Sequence, residues 1–300
     1  MMKRETRLSA RLLMIAAIAT AAILSSSIRA QTTIPVKVYA QELVDRIVAQ
    51  HPDLRTIAIY ATPPKTSASL VLASNIGLIG TPAGSADADV ATSGKTRVVE
   101  TANKRVEIEL PLHDLTGLTV GTLALTWTNP GAGGHAALEK KSAQIRDGLA
   151  RRILNTANLL DPYPYVATAT TRSRAQTLID ETVRHHPEVT VLALRLKVPP
   201  KNELVVVGST FGRHGKPADG DDMKVLDAPA PIPGLYSSNK RFGVDLPVKD
   251  AKGAAIGTMN VGYAYSGSEN KQALEAKAVA LRDEVQTRLA AIHAPEEIDP

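Results

Sequence analysis

AQELVDRIVAQHPDL (residues 40–54) and AQTLIDETVRHHPEV (residues 175–189) are the same segment written twice, 135 positions apart. Ala, Gln, Leu, Asp, Val, His and Pro coincide along it. The same displacement lays Ser74, Gly77, Gly80, Pro82, Ala83, Asp87 and Val90 on Ser209, Gly212, Gly215, Pro217, Ala218, Asp222 and Val225. One inserted residue later, NKRVEIELPLHDLTGLTVGTL from Asn103 meets NKRFGVDLPVKDAKGAAIGTM from Asn239. Ala137, Leu138, Glu139, Lys141, Arg146, Asp147 and Arg152 then fall on Ala273, Leu274, Glu275, Lys277, Arg282, Asp283 and Arg288. Blocks that match in order with one small gap mark a tandem duplication.

Each copy reads alike. Leu43, Val44, Ile47 and Val48 recur at helical spacing, so the unit opens with an amphipathic helix that stops at His51-Pro52. Strands are expected over 55–62 and 68–74, then a Gly/Pro/Ser/Asp-rich loop over 75–89 with one helical turn, then strands near 96–101, 105–112 and 118–127. A long helix closes the unit, striped by Leu138, Ile145, Leu149 and Ile153 and again by Leu274, Leu281, Val285 and Leu289. The fold class is therefore α+β: two tandem modules, 35–158 and 172–292, each an antiparallel sheet flanked by N- and C-terminal helices. Residues 159–171 read as a linker and 293–300 as a flexible tail. A pocket is expected between the long loop and the sheet face that the terminal helices leave open.

The chain of 300 residues is 44% hydrophobic and 22% charged, with 3% aromatics and no Cys. That composition suits soluble domains whose cores rest on aliphatic side chains, and it leaves Trp and Tyr as candidate binding residues. The net charge is +5, but Lys3, Arg4, Arg7, Arg11 and Arg29 outweigh Glu5 by four within the first 30 residues, leaving a body at +1. Nucleic acid is not an expected partner of a nearly neutral body. The first 30 residues themselves read as a signal peptide: a basic start, an apolar run from Leu12 to Leu24, and small residues leading to cleavage after Ala30. A run of 13 apolar residues is short for a membrane span. A periplasmic location without disulfides follows as the expectation.

Helix, two strands, a Gly-Asp loop and three strands resemble the extracellular PAS-like sensor domains of the Cache/PDC family. Leu110, Pro111, Leu112, Asp114, Gly117 and Gly121 carry the resemblance across the last turn, and Leu246, Pro247, Val248, Asp250, Gly253 and Gly257 repeat it. The resemblance implies a periplasmic module that binds small metabolites, often carboxylates or amino acids. Such domains sit between two membrane spans and drive a cytoplasmic output. Neither is seen here, so the expected partners are a small-molecule ligand and a membrane receptor or sensor kinase that reads the bound state.

Other constellations are weaker. His51 and His186 precede Pro at helix ends, where an imidazole suits the macrodipole; neighbouring His185 and His186 point apart and make no metal pair. Asp219, Asp221 and Asp222 suggest a calcium loop, but its sixth and twelfth positions hold Lys224 and Ala230, so a solvated turn is read instead. Gly131-Ala132-Gly133-Gly134 precedes a helix without a Lys-Ser/Thr, and Ser266-Gly267-Ser268 replaces it in the second copy, with Ser268 as a cap. No nucleophile elbow is present. Catalytic residues, metal and cofactor are all expected to be none, and the protein is read as non-enzymatic.

Positions where the copies disagree are not needed by the shared frame. Leu78-Ile79 becomes Arg213-His214, Tyr60 becomes Arg195, and Ala124 becomes Asn260. Gly121, Leu123, Leu125 and Trp127 are expected to face the helices, and Thr122 and Ala124 the pocket. Arg195, Arg213, His214 and Asn260 are accordingly the expected ligand-binding residues of the second module, with Tyr60 their counterpart in the first, for a small anionic metabolite. The competing readings are exposed loop positions for Arg213 and His214 and a snorkelling strand-end Arg195. At the level of function, the alternatives are a ligand-free scaffold that docks a membrane receptor, and a hydrolase with a Ser or carboxylate near His214.

Overall fold

A computed structural model describes residues 37–101, 104–129, 131 and 134–296. The expected signal peptide, Asn103, Ala132, Gly133 and residues 297–300 lie outside the described residues. The first module runs α1 (Tyr39–Gln50), β1 (Leu54–Ala61), β2 (Leu70–Ser74), α2 (Ser85–Ser93), β3 (Arg97–Thr101), β4 (Arg105–His113), β5 (Thr119–Thr128) and α3 (His135–Ala150). A short α4 (Thr156–Leu159) leads to the second: α5 (Arg174–His185), β6 (Val189–Val198), β7 (Glu203–Ser209), α6 (Gly220–Leu226), β8 (Ile232–Tyr236), β9 (Arg241–Lys249), β10 (Ala255–Ala264) and α7 (Lys271–Leu289).

Each module holds a five-stranded antiparallel sheet, ordered β2-β1-β5-β4-β3 and β7-β6-β10-β9-β8. Alternation along the strands sorts the two faces. Ile57, Ile59, Leu123, Leu125 and Trp127 point to α1 and α3 and are at most 1% exposed, joining Leu43, Val44, Ile145 and Leu149 in one core. Each such side chain contributes roughly 1.5–3 kcal/mol by leaving water. Trp127 belongs to that core, not to a binding surface, and its Nε1 donates to Ser142 Oγ at 2.9 Å. Leu192, Leu194, Val261 and Met259 build the matching core against α5 and α7. The other face of each sheet is covered by the small helix, α2 or α6, packed on the two strands at its centre.

The residues shared by the copies are largely structural. Gln41 Oε1 accepts from Ser74 N at 3.1 Å and Gln176 Oε1 from Ser209 N at 2.9 Å, tying each opening helix to its edge strand. A Cβ at Gly121 would lie 2.0 Å from Tyr60 O, and one at Gly257 2.1 Å from Arg195 O, so only glycine lets those strands approach. Asp87 and Asp222 cap their helices, accepting from Gly84 N at 2.9 Å and Asp219 N at 3.1 Å.

Several local expectations change. The single helical turn in the first loop is a helix of 9 residues, because its capping box holds a segment that buries only Val90 and shows no apolar stripe. The Asp cluster is not a turn but the start of α6, where Asp219 Oδ1 accepts from Asp221 N and Asp222 N, each at 3.1 Å. Asn270, not Ser268, caps α7, accepting from Ala273 N at 3.0 Å. The linker is packed: Tyr39 N donates to Asp161 O at 2.8 Å, Tyr163 N donates to Lys37 O at 3.1 Å, and Tyr163 is 6% exposed in the first core.

The modules also touch directly, and the described residues from Lys37 onward form one compact unit. Tyr39 OH donates to Thr210 O at 3.3 Å, Asn158 Nδ2 to Phe211 O at 3.2 Å, and Leu115 and Leu154 pack on Val191, Ala193 and Phe211. Among the described residues, no helix is long and apolar enough to cross a membrane.

Candidate functional site

Strand alternation puts Arg195 of β6, Thr258, Asn260 and Gly262 of β10, and Arg241, Gly243 and Asp245 of β9 on the face of the second sheet that α6 covers. Register places Thr258 beside Arg195 and Asn260 beside Asp245. β8 adds Tyr236 next to Arg241. Three glycines make the floor: the Tyr236 ring lies over Gly234 and Gly243, and the Arg241 stem over Gly262, where added Cβ atoms would sit 3.0, 2.7 and 3.3 Å from those side chains.

The polar groups on this face are only partly satisfied. Asp245 accepts from Asn260 Nδ2 at 2.5 Å and from Tyr236 OH at 3.0 Å, one bond to each carboxylate oxygen. Burial, reinforced by the Asp245 charge, pushes the Tyr236 phenol up to about 12, so it stays protonated and donates. Arg195 Nε lies 3.0 Å from Asp222 Oδ2 of α6, but its N–H is not aimed along that line; the pair is a charge contact that leaves the buried Nε without a hydrogen bond. Burial raises Asp222 and the Arg195 charge opposes the rise. Thr258 Oγ1, across from Arg195, is buried and likewise unbonded. Arg241 stacks on the Tyr236 ring at 5.1 Å, and burial lowers its pKa while Tyr236, Asp245 and Asp114 of the first module oppose the change. No carboxylate among the described residues comes within ion-pair reach of Arg241. At this end of the face the first module's β4–β5 turn approaches, with Leu115 packed against the cluster of Val191, Ala193 and Phe211.

Arg195 and Asn260 thus share one face as expected. Arg213 and His214 do not join them, which corrects the expected convergence. Arg213 has a left-handed backbone (φ 69°) that turns it toward the linker, where its Nε donates to Asp161 Oδ2 at 2.7 Å. His214 is 1% exposed and stands edge-on to Tyr163 at 5.7 Å. Gln176 Nε2 donates to Ser209 O and its Oε1 accepts from Ser209 N, so that amide is fixed and His214 Nε2 must donate to Oε1, at 2.8 Å. Burial pushes the imidazole down to about 4, with Arg46 adding to the effect. It is a neutral packing group. Tyr60 lies half-buried on the equivalent face of the first sheet, its phenol pushed up to about 12 by burial and by Asp87, Glu107 and Glu109.

Thr258 lies on the pocket-facing side of β10, as the match to Thr122 implies, whereas Tyr236, Arg241 and Asp245 were not among the expected residues. Their signal was present at two positions where the copies disagree: Glu107 becomes Gly243 and Thr126 becomes Gly262. Both changes remove side chains from the floor on which Tyr236 and Arg241 rest.

No family model matches the chain, and no curated protein matches it in sequence. Solved structures similar to it include the A. aeolicus nlh2 GAF domain in an inactive state, at 12% identity over 39% of this chain and 96% of that one, with a TM-score of 0.30. A putative IclR transcriptional regulator from Silicibacter matches at 12% identity over 71% of this chain and 84% of its own, with a TM-score of 0.29. A double mutant of the PobR transcription factor inducer-binding domain from Acinetobacter, in complex with 3-hydroxybenzoic acid, matches at 11% identity over 41% and 98%, with a TM-score of 0.26. At these scores they assign neither fold nor function to this chain.

Proposed function

We propose that this is an exported, periplasmic binding protein of two PAS/Cache-like modules that holds a small carboxylate-bearing metabolite on the α6-covered face of its second sheet. The observation that carries this reading is a neighbouring pair of buried donors without a hydrogen bond: Thr258 Oγ1, which has no partner, and Arg195 Nε, which has only the misaligned charge contact with Asp222. Leaving such groups unmet costs about 1–3 kcal/mol each, and a carboxylate that accepts from both removes the cost. Arg241 supplies a second cation at the same face. Asp245 supplies the opposite sign, so a ligand with an ammonium group beside its carboxylate, an amino acid, matches the face best. The protein acts by binding and passes its ligand state to a membrane receptor or sensor kinase. His214, bonded to Gln176 rather than to a hydroxyl or carboxylate, supports binding over hydrolysis.

Calorimetry on the full chain with a panel of small carboxylates and amino acids tests this. Saturable binding is expected, weakened about tenfold or more by Arg195→Lys and by Thr258→Val and unchanged by Lys252→Ala. No binding across the panel, or equal binding by the Thr258 variant, overturns the assignment.

A further inference from the structure

A second concentration of charge, four arginines around a hollow, is independent of the site just proposed. A cavity of about 620 Å³ opens between the modules, walled by Arg46 of α1, Arg151 and Arg152 at the end of α3, and Arg184 of α5, with Asp180 as the lining carboxylate. That volume falls within the roughly 300–1,000 Å³ of small-molecule sites.

The four guanidiniums are unequally engaged. Arg46 donates to Glu42 Oε1 at 2.7 Å and to Tyr163 OH at 3.1 Å. Arg152 reaches Asp180 Oδ1 only at 3.4 Å. Arg151 Nη2 donates to the carbonyls of Pro187 at 2.9 Å and Val189 at 3.5 Å, both neutral. Arg184 has no hydrogen bond or ion pair to any described residue. The C-terminal ends of α3 and α5 meet here and favour cations, but each helix end supplies only about half a charge, and only within its last turn. Glu42, which Lys37 shares at 2.9 Å, Asp180 and two helix ends together balance at most about three of the four positive charges. What remains uncompensated sits on Arg151, from the first module, and Arg184, from the second.

We propose that this groove is a second ligand site, for a small oxyanion held from one side by Arg151 and from the other by Arg184. The geometry of a guanidinium fork suits carboxylate and phosphate alike, and occupancy bridges the two modules. The test titrates citrate and inorganic phosphate separately by calorimetry at low ionic strength into the full chain carrying Arg195→Lys and Thr258→Val, which disables the sheet-face site. One saturable site is expected for at least one of them, and which anion fills it assigns the class. Arg151→Ala/Arg184→Ala, two exposed positions whose loss leaves the thermal midpoint within a few degrees, weakens that binding about tenfold or more, whereas Lys252→Ala leaves it unchanged. Absence of saturable binding by both anions overturns the proposal. So does binding unaffected by the double substitution, which places the anion outside the groove.

Discussion

In the first module Thr122 Oγ1 donates to Asp87 O of α2 at 2.6 Å, whereas in the second the equivalent Thr258 hydroxyl has no partner under α6. The ion pairs follow the same division. Arg97 of β3 lies across from Glu109 and donates to both of its oxygens, closing the first face with its own charges. Ile232 occupies that place in the second module, so the equivalent carboxylate, Asp245, turns to Asn260 and Tyr236. The cation moves to β6, where Arg195 replaces Tyr60. Among the described residues, one face therefore leaves no fully buried side-chain polar atom unbonded and the other leaves two. The duplication keeps the architecture in both copies and leaves those two unbonded atoms on the second face alone.

The severest way to break this comparison is at the residues held in common. Gly121→Ala and Gly257→Ala each force a Cβ into a backbone carbonyl at 2.0 and 2.1 Å, so each costs more than about 3 kcal/mol. Urea unfolding of the two variants is expected to give losses of similar size. A large loss in one module and a negligible loss in the other ends the claim that the shared positions hold the frame.

A smaller effect separates the two glycine loops. Ile79 of the first loop is 42% exposed; its counterpart, His214, is clamped under the linker by Tyr163 and Gln176. Burial lowers the His214 pKa from 6.5 to about 4. Above pH 6.5 both folded and unfolded states are neutral at this residue and stability is full. As the pH falls from 6.5 toward about 4, the unfolded chain takes up a proton that the folded chain refuses, and on the order of 3 kcal/mol is lost. His214→Gln removes this component, so the difference between wild-type and variant unfolding curves against pH isolates it from titrating carboxylates. Parallel curves across the window mean that the linker does not hold the imidazole dry.

The frame was legible because sheet faces and amphipathic helices impose periods that both copies repeat, and the shared Gly121/Gly257 pair announced its close approach. The site was legible in half. Arg195 and Asn260 stood out because they interrupt a shared pattern on strands, where direction is set by alternation. Arg213 and His214 interrupt the pattern equally, but on a loop whose direction depends on a left-handed residue and on the docked Asp161, and neither has a periodic signature. Tyr236 hid in IPGLY, a short edge strand with little apolar pattern, and its role became visible only with the glycines it covers.

The contact between modules gives the next test. Leu115, in the first module's β4–β5 turn, packs against the cluster of Val191, Ala193 and Phe211 in the second module, whose own turn has Ala251 at that position. Leu115→Ala is expected to cost about 2 kcal/mol, read by thermal unfolding, and to alter carboxylate affinity although the residue belongs to the other module. Affinity unchanged at that cost makes the turn a brace and not a wall of the site.

The smallest effect is the sharpest, because its sign differs between the modules. Val has the shape of Thr without the hydroxyl. Thr122→Val breaks a bond to Asp87 O and costs about 1 kcal/mol, whereas Thr258→Val removes a buried hydroxyl with nothing to bond and raises stability by a similar amount. Urea midpoints without ligand are expected to move in opposite directions. Adding a carboxylate that binds stabilises the wild-type chain through mass action, while the Thr258 variant gains less, so the order of the two midpoints reverses at saturation. Equal losses in both variants show that the second helix closes on its threonine as the first does, and then the two faces do not differ in the way that makes one of them a binding site.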